Sequence, residues 1–199
     1  MPRDFRSLSL GELLDELAAA EPAPGSGAVA ALVVAAAGAL LAGAARASRP
    51  AWPDAGGVAA QGALLRTRGF ELASEIADVY AQALSVLEAP VGDSPDERDE
   101  SIAQALSRAA DVPLEIARAA GDAASLAALV TERADPATHG DAAAAALLAV
   151  GAARAAASLV DINLIALAGD VRVHRARQLA EEAEYAARRA LGPRWEPLH

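Results

Sequence analysis

An uncharged run from Ala28 to Ala45 (AVAALVVAAAGALLAGAA) constrains this chain more than any other feature of its sequence. Its length is at the lower limit for a membrane span. About half of the run is Ala, which favours insertion into a membrane far less than Leu, Ile or Phe. Helices that are apolar on every side also occur at the centre of soluble bundles. We therefore expect a buried central helix with no membrane contact, and a membrane span is the alternative.

The composition excludes several other classes of protein. Aromatic residues make up 3% of the chain and Ala, the strongest helix former, more than a quarter, so a β-sandwich or β-barrel is not expected. The chain has no Cys, which excludes disulfide scaffolds, thiol nucleophiles and iron–sulfur centres. With 27 acidic residues against 17 Arg and no Lys, the net charge of −10 excludes a generic nucleic-acid binder. Charges near the N-terminus interrupt any signal peptide, and we expect a cytoplasmic location.

Pro, Gly and Asp divide the chain into about seven helical pieces and leave no alternating strand pattern. The segment Ser9 to Glu12 has the pattern of a capping box at the start of the first helix. The pair Val112-Pro113 predicts a kink or break, and Asp141 is placed to cap the sixth helix. The sequence thus predicts one all-α domain over residues 1–199, a compact antiparallel bundle of about seven helices around a buried Ala-rich central helix.

The residues by themselves offer few catalytic patterns. The three histidines, at positions 139, 174 and 199, are too scattered for a metal site, and no metal is expected. No nucleophile elbow, P-loop or long Rossmann fingerprint is present, so a redox cofactor is unsupported. The loop from Pro22 to Gly27 presents free N–H groups at the start of the apolar helix, which suits an anion or a carbonyl. A simple tight turn is the alternative explanation of that loop.

Several short motifs occur in one order along nearly the whole chain. The first is LGELLDELA, followed by PAPGSGAVAAL from Pro22 to Leu32. The others are Asp78-Val79-Tyr80, Val112-Pro113-Leu114-Glu115-Ile116-Ala117, Asp141 and Ile162-Asn163-Leu164. Together they resemble the C-terminal family of formiminotransferase-cyclodeaminases, which includes stand-alone methenyltetrahydrofolate cyclohydrolases.

The resemblance implies a reaction at the one-carbon bridge of tetrahydrofolate. The reaction is either hydrolysis of 5,10-methenyltetrahydrofolate to 10-formyltetrahydrofolate or cyclodeamination of 5-formiminotetrahydrofolate with loss of ammonia. Apart from this tetrahydrofolate substrate, no cofactor is implied. The chain departs from the family where Gly-Gly-Gly-Ser has become Gly25-Ser26-Gly27-Ala28, and where a basic stretch after the second helix is replaced. These departures motivate the alternative, a catalytically degenerate helical dimer of the same fold that binds a small ligand or a partner.

The resemblance also indicates which residues meet the substrate. A carboxylate, Asp141 or Asp78, would stabilise the cationic carbon and position or activate water. The backbone around four residues would hold the pterin or its bridge: Pro24, Gly25, Ser26 and Gly27. Arginines would receive the anionic glutamate tail, and the candidates are Arg46, Arg49, Arg66 and Arg68.

Helical geometry qualifies these assignments. Asp78 shares a stripe with other polar residues and is alternatively a solvated acid, while Tyr80 is alternatively part of the core. Asn163 is expected to be buried with a partner, as a structural clamp or as a further ligand contact. On one straight helix Asp141 and Asn163 lie roughly 33 Å apart, so one chain cannot bring both to the same carbon unless the helix breaks. We expect a homodimer, because a bundle so poor in aromatics gains from an additional buried face, and a dimer can bring the two into related sites.

Overall fold

A computed structural model describes residues 4–19, 25–89, 95–165 and 169–192. These ranges contain seven α-helices and one 3-10 turn, Pro136–Thr138. The helices are α1 (Leu10–Ala18), α2 (Gly25–Ala47), α3 (Ala55–Glu88), α4 (Pro95–Ala109), α5 (Asp111–Arg133), α6 (His139–Asn163) and α7 (Val171–Leu191). No strand occurs in the described ranges. The prediction of an all-α bundle of about seven helices is confirmed.

Two of the predicted helix signals act as expected. The Ser9 hydroxyl accepts from the Glu12 N–H at 3.2 Å, and the Glu12 carboxylate accepts from the Ser9 N–H at 2.7 Å, so the capping box is formed. Hydrogen bonds from the backbone N–H and the side chain of Ser9 lower the pKa of the Glu12 carboxyl. The helix predicted to break near Val112-Pro113 does so, because α4 ends at Ala109 and Pro113 falls in the first turn of α5, where no intrahelical N–H is required.

Two helix starts differ from the prediction. The apolar helix α2 begins at Gly25, within the predicted loop, and Pro24 lies outside the described residues. Asp141 does not cap α6, because the preceding 3-10 turn runs directly into that helix and moves its start to His139. The side chain that caps the turn is Asp135, which accepts from the Ala137 N–H at 2.8 Å. Asp141 therefore lies inside the first turn of α6 as an exposed acid.

Helix α2 packs against α3, α5 and α6, as expected for the Ala-rich helix at the centre of the core. Its outer face remains uncovered at Ala36, Ala39 and Gly43. By length and hydropathy, α2 and the segment Pro136–Asn163 are both apolar enough to cross a membrane. In the bundle, 61% of the most apolar window of α2 and 44% of that of the second segment are buried.

The contact between α2 and α3 depends on glycines. A Cβ on Gly38 would lie 2.7 Å from the Gly62 carbonyl oxygen, and one on Gly62 would lie 2.7 Å from the Ala42 nitrogen. A Cβ on Gly69 would lie 2.7 Å from the Ala31 carbonyl oxygen. The two backbones therefore touch along this line, which we call the glycine seam, and any side chain there would push the helices apart.

The helices run antiparallel, so the bundle has two distinct ends. The start of α2 meets the end of α6, where Gly27 lies against Leu159. The other end of α2 meets the start of α6, where the Asp135 N–H donates to the Ser48 hydroxyl at 2.9 Å. We call these the Gly27 end and the Ser48 end.

Candidate active site

A cavity of about 420 Å³ opens at the Gly27 end. It lies between the start of α2, the second half of α3, the junction of α4 with α5, and the end of α6. Its volume is within the range that binds small organic ligands. Its walls are formed by Gly25, Ser26, Gly27, Ala28, Ile76, Ala77, Asp78, Val79, Tyr80, Ala81, Leu84, Ala109, Pro113, Leu159, Ile162 and Asn163.

Four of the wall residues carry polar side chains, and one of these is charged. Asp78 is half-buried on α3 and is the single charged residue of the wall. Tyr80, two residues further on, is 51% exposed, so its alternative role as a core residue is wrong. Ser26 on α2 supplies a hydroxyl and Asn163 on α6 a carboxamide. The cavity is thus apolar overall, with one negative charge.

The glycines at the start of α2 open this wall. Gly25 has a φ of 40°, which L residues adopt only with strain. A Cβ on Gly27 would overlap the Cδ1 atom of Ile76 and would lie 3.5 Å from the Leu159 Cδ1. The first four N–H groups of an α-helix have no partner within that helix, so 25–28 bring unpaired helical donors to the cavity wall. The structure places this segment in the first turn of α2, whereas the sequence predicted a loop through Gly27.

Asn163 joins the end of α6 to the end of α4. Its Nδ2 group donates to the Ala109 carbonyl oxygen at 3.0 Å, and the side chain is half-buried rather than fully buried. Ala109 is the last residue of α4, so its carbonyl has no partner within the helix. The expected partner of the carboxamide therefore exists. The same side chain also lines the cavity, so the clamp and the ligand contact do not exclude each other.

The remaining predicted site residues lie elsewhere. Arg46 is in the last turn of α2, about 28 Å along that helix from Gly27, and Arg49 follows it. Asp141 is separated from Asn163 by the unbroken length of α6, about 33 Å. Arg66 and Arg68 lie on α3, where Arg68 approaches Glu71 at 3.7 Å. None of these residues lines the cavity, and within one protomer they do not meet Asp78.

The Ser48 end is closed around a satisfied polar group. Ser48 is 1% exposed, and its hydroxyl donates to the Ala44 carbonyl oxygen at 2.9 Å while accepting from the Asp135 N–H. Trp52 follows Ser48 by four residues, is 7% exposed and packs into the core. A buried polar group whose hydrogen bonds are all made within the protein stabilises the fold. It has no free donor or acceptor for a ligand.

A second cavity, of about 610 Å³, adjoins the connection between α6 and α7. It shares Ile162 with the first cavity and includes His174 and Arg177. Arg177 is paired with Asp161 at 2.9 Å, and both side chains are exposed. Part of the connection, residues 166–168, lies outside the described residues. Within the described ranges no group of three or more potential ligand side chains could hold a metal ion.

Sequence reasoning missed two parts of the site. The first is the apolar wall formed by Ile76, Leu159 and Ile162, which looks like ordinary helical core in the sequence. The second is the pair Asp170 and Arg172 at the start of α7, where Asp170 accepts from the Arg172 N–H at 2.9 Å as the N-cap. Hydrogen bonds from the Arg172 guanidinium lower the pKa of Asp170 to about 2. An Asp immediately before a helical run is a known capping signal and could have identified this pair.

Comparisons with known proteins give a match to a family and matches to solved structures. Residues 9–183 match the sequence profile of the family described as formiminotransferase-cyclodeaminase. The crystal structure of formiminotetrahydrofolate cyclodeaminase from Thermotoga maritima is similar to this chain, with a TM-score of 0.83 and 23% sequence identity. That similarity covers 94% of this chain and 95% of that chain, and it shows a shared helical fold. No curated protein sequence matches significantly.

Proposed function

Because the chain belongs to the formiminotransferase-cyclodeaminase family, we propose that it transforms one-carbon derivatives of tetrahydrofolate in the cavity at the Gly27 end. Two reactions are compatible with this proposal: hydrolysis of 5,10-methenyltetrahydrofolate to the 10-formyl form, and ring closure of 5-formiminotetrahydrofolate with release of ammonia. Both concern the carbon that bridges N5 and N10. The proposal needs no cofactor besides the folate itself.

The observation that carries the proposal is the isolated charge of Asp78. The methenyl form bears a positive charge spread over N5, the bridging carbon and N10. A half-buried carboxylate in an otherwise apolar cavity attracts such a cation, since electrostatic attraction strengthens as water is excluded. The same cation is the substrate of the hydrolysis and the product of the ring closure. One carboxylate can therefore stabilise it in either reaction.

In the hydrolytic reaction, water adds to the bridging carbon and Asp78 accepts a proton from it. The bond from the carbon of the tetrahedral intermediate to N5 then breaks, N5 takes up a proton, and the hydroxyl loses its proton as it becomes the carbonyl of the 10-formyl product. In the cyclodeamination, N10 adds to the formimino carbon and ammonia leaves after its nitrogen is protonated. Tyr80 and Ser26 carry hydroxyl groups in the same wall that suit the proton transfer to nitrogen.

The anionic glutamate tail meets no cation in the described cavity wall. We therefore propose that the pterin ring and the one-carbon bridge bind in the cavity and that the glutamate tail extends into solvent. Arg46 and Arg49 can receive such a tail only from a site on another protomer, because they lie at the Ser48 end of their own bundle. A catalytically degenerate ligand-binding protein is the alternative function, favoured by the loss of the family's hydroxyl at Ala28.

The decisive experiment mixes the purified chain with 5,10-methenyltetrahydrofolate and follows the loss of its absorbance, and repeats this with the formimino substrate. We expect turnover of at least one. Gly27→Val should abolish binding and turnover, because its side chain displaces Ile76 into the cavity. Gly57→Val is the control, since Gly57 is an exposed helical glycine on α3 with no atom within 4 Å of an added Cβ.

Wild-type protein that binds folate without converting either substrate would establish the binding function instead. Normal folate binding by Gly27→Val would show that the ligand binds outside this cavity. The family assignment would not be affected. In both cases, helicity measured by circular dichroism verifies that the variants are folded.

The chain is further proposed to act as a cytoplasmic homodimer. The outer face of α2 is apolar and uncovered at Ala36, Ala39 and Gly43, and α6 exposes Leu147 and Leu148. Such faces are commonly covered by a second copy in symmetric oligomers. Light scattering of the detergent-free protein measures this state, and a monomer at micromolar concentration would refute it.

A further inference from the structure

The guanidinium of Arg172 has all five of its N–H donors engaged. Its Nε donates to Asp170 Oδ1 at 3.0 Å and one Nη2 bond reaches Asp170 Oδ2 at 2.7 Å. The other three bonds reach the α4–α5 junction: Nη1 donates to the Ser107 carbonyl oxygen at 2.8 Å and to Asp111 Oδ1 at 2.7 Å, and Nη2 donates to the Ser107 hydroxyl at 2.8 Å. Five donors in a planar fork are the full capacity of an arginine.

This cluster ties the start of α7 to the junction between α4 and α5. Asp170 fixes the orientation of the guanidinium, because its carboxylate accepts two hydrogen bonds from the Arg172 side chain and also caps α7. Ser107 and Asp111 lie on either side of Ala109, the residue whose carbonyl receives Asn163. The Arg172 and Asp170 side chains are 21% and 18% exposed, so the cluster is partly shielded from water. Charge-assisted bonds of this kind are stronger than neutral ones.

Among the described residues, the Asn163 side chain makes one hydrogen bond. Its Nδ2 group donates to Ala109, and none of the described residues donates to its Oδ1 atom. The bond through Nδ2 fixes which way the carboxamide faces, so the position of the Ala109 carbonyl determines where Oδ1 lies in the cavity wall. A movement of the junction would therefore change the acceptor that the cavity offers to a ligand.

We propose that Arg172 is a positioning residue for the cavity: it fixes the α4–α5 junction so that the Ala109 carbonyl holds the Asn163 amide and leaves Oδ1 to the ligand. The consequence for catalysis rests on the proposed function, whereas the structural link does not. Arginine is required because lysine carries three donors around one nitrogen and cannot span Asp170, Ser107 and Asp111 together.

The first test reads the Asn163 side chain directly. Asn163 is the single asparagine in the chain, so labelling with ¹⁵N-asparagine gives one side-chain amide pair in an NMR spectrum. We expect Arg172→Lys to shift this pair and to speed its exchange with water. Arg177→Lys is the matched control on the same helix, because its ion pair with Asp161 is exposed and does not reach the junction.

An unchanged Asn163 signal in a folded Arg172→Lys protein would overturn the proposal. If that variant does not fold, Ser107→Ala removes a single bond from the cluster and should shift the same signal to a smaller extent. An Asn163 signal unaffected by Ser107→Ala would then count against the proposal. Neither outcome depends on enzymatic activity, so a failure here is distinct from a failure of the proposed function.

The second test is kinetic. Arg172→Lys should lower kcat about tenfold with a smaller change in KM, at a temperature where circular dichroism shows the variant to be folded. In an Asn163→Ala background the same substitution should have almost no further effect, because the group through which it acts is gone. Equal effects of Arg172→Lys in both backgrounds would show that it acts on general stability and would overturn the positioning role.

Discussion

The two ends of the bundle use buried polar groups in opposite ways. At the Ser48 end, one hydroxyl donates and accepts, every contact is internal, and the residue is 1% exposed. At the Gly27 end, Asp78 and Asn163 are half-buried in a cavity of about 420 Å³, and Asn163 keeps one polar atom without a donor among the described residues. The antiparallel helices α2 and α6 reach both ends, and α3 contributes Asp78 at the Gly27 end.

The difference shows how a helical bundle separates stability from binding. A buried polar group that is fully paired contributes to the fold, whereas one that is left partly unpaired beside a cavity is available to a ligand. Placing both on one pair of helices keeps them about 30 Å apart, since each residue advances the helix by about 1.5 Å. Substitutions at one end should therefore leave the property of the other end unchanged.

The largest expected effect concerns the carboxylates at the two ends. Asp78→Asn should reduce turnover about 10²–10⁴-fold, because the amide neither accepts a proton nor balances the cation. Asp141→Asn should retain the rate, with at most ~1 kcal/mol lost in stability, since a carboxylate in the first turn favours the helix dipole. Initial rates and thermal melts of both variants measure this contrast.

A loss of activity in Asp141→Asn would instead indicate a site shared between protomers. Mixing inactive Asp78→Asn and Asp141→Asn proteins would then restore part of the activity, because some mixed dimers would carry one intact site. If both variants are inactive and their mixture also stays inactive, the two carboxylates act in the same site. Asp78 is then not the sole essential carboxylate within one protomer.

A smaller effect is expected at the Ser48 end, and on stability alone. Ser48→Ala leaves the Asp135 N–H without its acceptor, which should cost about 1–3 kcal/mol in the free energy of unfolding. Denaturant titration measures this loss, and the rate per folded molecule should stay at the wild-type value. A parallel fall in kcat would show that the two ends are coupled through α2 and α6.

The smallest effect is a dependence on pH at the start of α7. The pKa of Asp170 is lowered to about 2 in the folded protein by Arg172, below the value of ~3.9 typical of an unfolded chain. Its contribution to stability is thus complete above about pH 4 and is lost as the pH falls through 2. The difference in Tm between wild type and Asp170→Asn should be constant above pH 4 and shrink below it.

The control for this pH dependence is Asp161→Asn, which removes an exposed ion pair with Arg177. Exposed pairs contribute little to stability. A difference in Tm between wild type and Asp170→Asn that stays unchanged down to pH 2 would contradict this prediction. It would show that the charge of the carboxylate does not stabilise the start of α7.

The sequence predicted local features better than distant contacts. The capping box at Ser9 and the break at Pro113 depend on neighbouring residues, and both are confirmed. The predicted N-cap of α6, Asp141, is three residues from the observed one, Thr138, because a 3-10 turn and a helix differ little in local preference. The unbroken α6 agrees with the expectation that Asp141 and Asn163 lie far apart in one chain.

Half of the predicted site is brought together, and the reason is topological. Gly25, Gly27, Asp78 and Asn163 line one cavity because α2 and α6 run in opposite directions. Side-chain chemistry alone cannot show which helix ends meet, and the arginines predicted to receive the glutamate tail do not line this cavity. The contact of Arg172 with Ser107 spans 65 positions in the chain and leaves no local signal.

The glycine seam also sets the offset at which α2 and α3 slide past each other. The facing pairs 38 with 62 and 31 with 69 are both spaced by seven residues, about two helical turns, so the same kind of contact repeats along the seam. The same register places Gly27 level with Ala73, one turn from Ile76, so the close approach of α2 and α3 continues to the cavity wall. The exposed connection at Pro53 and Asp54 has no part in it, so insertions there should be tolerated without any change in the cavity wall.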